Sequence, residues 1–447
     1  MSGRTGIAFG CAALMWLADI AVPVFGEAQT LTGTMAAAYS QNPKLNAARS
    51  ELAATRQKKQ EALAEALPHL SFDASDGQVQ QTTHVSAADA SNGASNLALN
   101  NLPTSTYGLT ANQALFHGGE IFARYGQAKA LITSETYRLA SIEAQVIGKA
   151  ADDFADLLLA QNEFALADDN IAVLKSEVSQ TTGRYKAGTA TRADLAQSQA
   201  ALAGAQADRA VAQADLFRAR SAFQRDTSLE PTTIGGPLML NLRLSQSRDD
   251  AVSESQGNSP DVLAALFSAK AADQEVAIAR SERYPQVNLQ GVVEHQEGVN
   301  LKGESDDLTG VFIQLHVPIF SGGGVNAEVR SARALADQAY QQVQAARMDA
   351  SYAARTAWDG REAAQEAIAA YRQEVEVNET ALQGVRLGLE TGERTEQDVL
   401  VAQHLLFTSR QKLEGALHDE FVARLALAAA TGHLNGLDLG LNAVVAR

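Results

Sequence analysis

Between Gly119 and Gly188, and again between Gly323 and Gly392, apolar residues return every three or four positions in a background of Ala, Gln, Glu, Asp, Arg and Lys. Leu157, Phe164, Ile171, Leu174 and Val178 form one such stripe. That spacing predicts helices with one buried face. At 1.5 Å per residue each ~70-residue run is ~105 Å long, too long for a compact domain. Shorter helices are predicted over Thr191 to Phe223 and Thr395 to Leu427, and over Pro43 to Leu67 and Pro260 to Arg283. Stacked end to end, at ~50 and ~37 Å, one of each kind nearly matches a long helix. Small Ala residues along these faces permit close antiparallel coiled-coil packing.

The period drops to two in the intervening stretches. Val287, Leu289, Gly291 and Val293 alternate with Asn288, Gln290 and Val292, and Val311, Ile313, Leu315, Val317 and Ile319 alternate with Phe312, Gln314, His316 and Pro318. These are predicted strands with one apolar face. His69 to Gln78 and Thr104 to Phe116 are their counterparts, the first weakened by Asp73 and Asp76. The connecting stretches, Gln81 to Pro103 and Glu294 to Asp307, are rich in Ser, Asn, Ala, Gly and acids, like the outward loops of outer-membrane barrels.

The whole pattern occurs twice. Pro43 and Pro68 recur 217 positions on as Pro260 and Pro285, while Leu115, Gly118, Gly119, Gly188, Thr191 and Asp194 recur 204 positions on as Ile319, Gly322, Gly323, Gly392, Thr395 and Asp398. The change of offset places one length difference in the loop between the strands. The expected division is a first repeat over 29–226, a connector over 227–258, a second repeat over 259–431 and a tail over 432–447.

Residues 1–28 read as a secretory signal. Arg4 precedes an apolar run from Ile7 to Ala18, and small residues end at Ala28. The single cysteine, Cys11, lies in that run, so neither a disulfide framework nor a Cys-based metal site is expected. The formal charge of −16 disfavours nucleic acid as a partner. It suits either a cation-preferring lumen or a solvated helical surface. The eight histidines have no metal-ligand spacing, and no nucleophile, phosphate loop or catalytic carboxylate pair stands out. No catalytic, cofactor-binding or metal residue is therefore assigned. Phe72, Tyr107, Phe116, Tyr284 and Phe320 fall near strand ends, as either an interfacial girdle or ordinary packing.

Four strands with one apolar face pose a closure problem in lipid, because an open sheet edge leaves backbone groups unpaired where no water reaches. Two chains would supply eight strands, filled by side chains; three would supply twelve and leave a passage. The expected fold is therefore mainly α with a membrane β-barrel: a duplicated coiled-coil α-barrel plus four strands per chain completing a trimeric 12-stranded barrel.

The ordered motifs resemble the outer-membrane efflux protein (TolC) family. They are Asn42-Pro43 and Ser259-Pro260, Pro68 and Pro285, Leu115-Phe-His-Gly-Gly119 and Ile319-Phe-Ser-Gly-Gly323, and Tyr185 to Leu195 beside Leu389 to Val399. The resemblance implies a homotrimer in outer-membrane lipid, extending into the periplasm. It also implies docking on a periplasmic adaptor (membrane fusion) protein and an inner-membrane transporter, as the exit duct for efflux or type I secretion. Gly188 and Gly392 suit the tip turns, with Thr191 and Thr395 capping the returning helices. Asp194 and Asp398 then stand at the acidic end of each capping box. By resemblance these tips form the entrance and the adaptor-docking surface, with Arg394 bonded to Asp194 of another hairpin and Asp398 forming a ring. Leu389, Ala193 and Val401 depart from the tyrosine, threonine and second acid of the family pattern. A periplasmic adaptor or a structural coiled-coil protein is the alternative, although an adaptor has a single hairpin.

Overall fold

A computed structural model of the chain describes residues 29–83, 97–231, 234–235, 238–298, 304–436 and 439. The predicted secretory segment with Cys11, the centres of both strand loops and most of the tail beyond 436 lie outside these residues.

The order of elements is α1 (Leu31–Gln41), α2 (Pro43–Ala64), β1 (His69–Thr83), β2 (Leu97–His117), α3 (Glu120–Lys186), α4 (Arg192–Thr227), α5 (Arg248–Asn258), α6 (Pro260–Ser281), β3 (Gln286–Glu297), β4 (Ser305–His316), α7 (Gly324–Thr391) and α8 (Glu396–Ala430). The long helices α3 and α7 have 67 and 68 residues, about 100 Å each. Their seams are heptads of mainly small residues. Val329, Ala336, Val343, Ala350, Ala357 and Ala364 are buried along α7, and Val146, Asp153, Ala160, Ala167, Leu174 and Thr181 along α3. A strict seven-residue repeat imposes left-handed supercoiling, which keeps one face turned toward the partner helices over such a length.

Two short helices are absent from the sequence reading. Helices α1 and α5 have 11 residues each and lie 217 positions apart, so the stretch 227–258, expected as a connector, ends in the counterpart of α1. Their Thr-, Ser-, Ala- and Asp-rich sequences carry little apolar periodicity. Leu31 and Met35 of α1, Ile234 and Leu240 of the connector and Leu434 of the tail pack against Phe154, Phe223 and Phe421 to form the largest core cluster among the described residues.

The four strands form one antiparallel sheet in the order β1-β2-β3-β4. Strands β1 and β2 run past the predicted ends into the stretch read as loop, with Gln81 opposite Leu99 and Thr83 opposite Leu97. Asn100, Asn101 and Pro103, and the run from Gln80 to Thr83, interrupt the apolar alternation there. Across the sheet, Phe72 pairs with Leu109, Leu109 with Val293, Leu289 with Ile313 and Val287 with Leu315, all on one face. Ser71, Thr110, Asn288, Gln290, Gln314 and His316 share the other. A bulge between Ala114 and Phe116 keeps Phe116 opposite Val287, on the apolar face. That face stands open in the single chain, with Phe72, Ile313 and Val311 exposed by 67, 70 and 75%. β1 and β4 each have one unpaired edge.

Strand passes to long helix through paired glycines with positive φ, Gly118-Gly119 and Gly322-Gly323. At Gly118 (φ 60°) a Cβ would lie 2.5 Å from the Ser281 carbonyl oxygen, so no other residue fits.

Candidate functional site

The far ends of the long helices bring every sequence-predicted site residue to two hairpin tips. At the first, Gly188 adopts φ 77° and the Thr189 amide donates to the Arg184 carbonyl at 2.9 Å. At the second, Gly392 adopts φ 80° and the Glu393 amide donates to the Gly388 carbonyl at 2.8 Å. Left-handed glycine with a six-to-one bond closes a helix C-terminus tightly. The returning helices start in complete capping boxes. The Asp194 amide donates to Thr191 Oγ1 at 3.1 Å, while the Thr191 amide and hydroxyl both donate to Asp194 Oδ2 at 2.8 Å. Thr395 and Asp398 repeat this at 3.2, 2.9 and 2.9 Å. The threonine amide, then its hydroxyl, hold each carboxyl below the ordinary carboxylate range. Every cap bond to either carboxylate uses Oδ2, leaving Oδ1 of both acids available for a partner.

Arg394 behaves differently. Its amide donates to the Gly388 carbonyl at 3.0 Å, and its side chain lies over Gly388, whose missing Cβ would fall 2.6 Å from Arg394 Cγ. The expected bond from Arg394 to Asp194 is not formed within one chain among the described residues.

A second set of residues joins the two hairpins within the chain. Arg184 near the end of α3 donates to Glu396 in the first turn of α8. The Thr181 hydroxyl donates to Glu396 Oε1 at 2.6 Å, and Arg184 Nη2 also reaches Glu177 Oε1 at 3.4 Å. Glu396, Glu177 and Thr181 are 5, 8 and 0% exposed, so these charges are held largely out of water. Burial first, and then the carboxylate of Glu396, push Glu177 up to about 7 against the opposing pull of Arg184 and Arg386. Sequence reasoning missed this cluster because Glu396 lies more than 200 positions from Glu177, Thr181 and Arg184, outside any local motif. Higher on the tube, the structure brings His418 to 2.8 Å from Asp156 and close to Asp152, a proximity that spacing along the chain does not show. Lys149 lies 2.9 Å from Asp152 and already supplies positive charge there.

The model of the family described as "Outer membrane efflux protein" matches residues 35–225 and 251–433. The chain is 26% identical over 416 residues to outer membrane efflux protein BepC of Brucella suis, covering 92% of this chain and 87% of that protein. It is also 26% identical over 347 residues to alkaline protease secretion protein AprF of Pseudomonas aeruginosa, covering 74% of this chain and 70% of that protein. Among solved structures, the outer membrane protein VceC of Vibrio cholerae superposes with a TM-score of 0.77 at 21% identity, covering 90% of this chain and 96% of VceC. The open-state MtrE outer membrane channel of Neisseria gonorrhoeae gives 0.75 at 19% identity, covering 91% and 89%.

Proposed function

The chain belongs to the outer membrane efflux protein family, and from that premise we propose that three copies form one passive duct, a β-barrel through the outer membrane continued by a helical tube into the periplasm. The family is one of channels, not enzymes. The observation that carries the reading is the four-stranded sheet, apolar on one face and polar on the other, with an unpaired edge on each side. In hydrocarbon such edges must pair, and three sheets closing edge to edge give twelve strands around a water-filled passage.

Cargo reaches this duct from an inner-membrane transporter through a periplasmic adaptor that grips the hairpin tips around Gly188, Thr191, Gly392 and Thr395. The names of BepC and AprF support efflux and protein secretion as the two uses. In the trimer the free Oδ1 of Asp194 accepts from Arg394 of a neighbouring hairpin, and three copies of Asp398 ring the entrance. The residues 1–28 are a secretory leader, and the stretches 227–258 and 432–447 thicken the waist between repeats 29–226 and 259–431.

Reconstitution in planar bilayers tests this. The purified protein is expected to open trimeric pores, Arg394→Ala to raise their conductance, and Asp398→Asn to shift the reversal potential toward weaker cation preference. A water-soluble monomer without pores would overturn the function, and unchanged conductance or reversal potential would remove the corresponding residue from the entrance.

A further inference from the structure

We propose that Arg184, Glu396, Glu177 and Thr181 form an acid-strengthened lock between the two helical hairpins of each chain, and that this lock, separate from Arg394 and Asp194, positions the tips. The proposal rests on the reading of the tips as the entrance. Three observations lead to it. The cluster spans different hairpins, with Glu177, Thr181 and Arg184 on α3 and Glu396 on α8. Its carboxyls, Glu177 and Glu396, and Thr181 are buried, whereas the capping acids are partly exposed. It also breaks the internal duplication: 204 positions on from Glu177, Thr181 and Arg184 stand Ala381, Val385 and Gly388, and Arg192 stands 204 positions before Glu396.

Burying charges is unfavourable unless each finds a partner, so such clusters fix one register rather than adding general stability. Thr181 continues the heptad seam of α3, and Glu396 sits at the first helical position of α8. A slip or splay of one hairpin against the other would therefore leave Arg184 and Glu396 unpaired at the point where the seam ends.

The balance of charge makes the lock responsive to pH. Glu177 faces Glu396 from α8, Arg184 from its own helix and Arg386 from α7. With Glu177 protonated, one carboxylate meets the Arg184 guanidinium. With it ionised, two buried carboxylates repel each other across Arg184, and the more distant Arg386 offsets this only in part. Because its value of about 7 in the formed cluster lies above that of an ordinary carboxyl, the engaged lock holds a proton that the disengaged one has released. Engagement of the lock is therefore favoured at mildly acid pH and weakens as pH rises through 7.

Hydrogen exchange on the detergent-solubilised trimer tests the lock without requiring transport. Glu396→Ala, a change in the second hairpin, is expected to reduce amide protection in the first hairpin over 177–190. The double variant R184E/E396R is expected to restore it. Protection corrected for intrinsic exchange should fall between pH 6 and pH 8 in the unaltered protein but stay high in Glu177→Gln. Unchanged protection at 177–190 in Glu396→Ala would overturn the lock, as would the same pH dependence in Glu177→Gln. Parallel conductance measurements separate the two readings. Loosened tips with unaltered conductance would support the lock and count against the tips as the entrance.

Discussion

At the scale of residues, the tips are built from pairs that a sequence can show. A threonine three positions before an aspartate, after a glycine that ends one helix, predicts a capping box, and both boxes are formed. Thr395→Ala removes the acceptor for the Asp398 amide and the donor to its carboxylate, which typically costs about 1 kcal/mol of helix stability. The expected result is roughly fivefold faster local exchange at the start of α8, with the body of α3 unaffected. The cap also has a pH sign. Hydrogen bonds from Thr395 lower the Asp398 value, so this stabilisation is present at neutral pH and lost as pH falls below about 4. The buried lock follows the opposite sign, because burial dominates at Glu177. That cluster was not legible in the sequence, since Arg184 and Glu396 meet only once two hairpins lie side by side.

At the scale of elements, alternation along β3 and β4 identified both faces of the sheet, because the side-chain period of a strand is two wherever one face meets an apolar medium. It failed beyond Gln78 and before Thr104, where Gln80 to Thr83 include no apolar residue and Asn100, Asn101 and Pro103 interrupt the leucines of β2. It also failed for α1 and α5, where packing of Leu31 and Met35 around Phe154, and of Ala251 against Ala354, Ala357 and Leu427, rather than amphipathic periodicity, makes the helix. Neighbouring positions on β4 test the facing directly. Ile313 is 70% exposed on the apolar face, whereas the Gln314 amide donates to Gln290 on the polar face at 2.6 Å. Ile313→Arg is expected to cost about 2–4 kcal/mol in lipid vesicles if it lies near the bilayer midplane. Gln314→Arg loses one neutral hydrogen bond, about 1 kcal/mol. Urea titration of vesicle-bound protein measures both, and equal costs would reverse or abolish the assignment of faces.

At the scale of the molecule, the chain exposes 27,375 Å², against about 16,000 Å² for a compact monomer of its mass. Surface of that extent, much of it along Ala-rich helices and an open apolar sheet, belongs to a body completed by other copies. Its length rests on the heptad, which makes the architecture modular. Removing 167–173, 205–211, 371–377 and 409–415 together deletes one repeat at the same height from α3, α4, α7 and α8. The tube shortens by ~10 Å, but the seam from Val146 to Thr181 stays in phase across its deletion, and the seam from Val329 to Ala364 is left intact. This variant is expected to assemble as a trimer by native mass spectrometry, with a melting temperature near that of the full-length protein. Removing only four residues at each place turns every tip by about 40° relative to the waist, since four residues span 400° at 100° each. That rotation carries Thr181, Arg184 and Glu396 off their seams, and a large loss of melting temperature is expected. If both deletions were tolerated equally, the helices would be packing without heptad register, and the coiled-coil account of the ~100 Å tube would not stand.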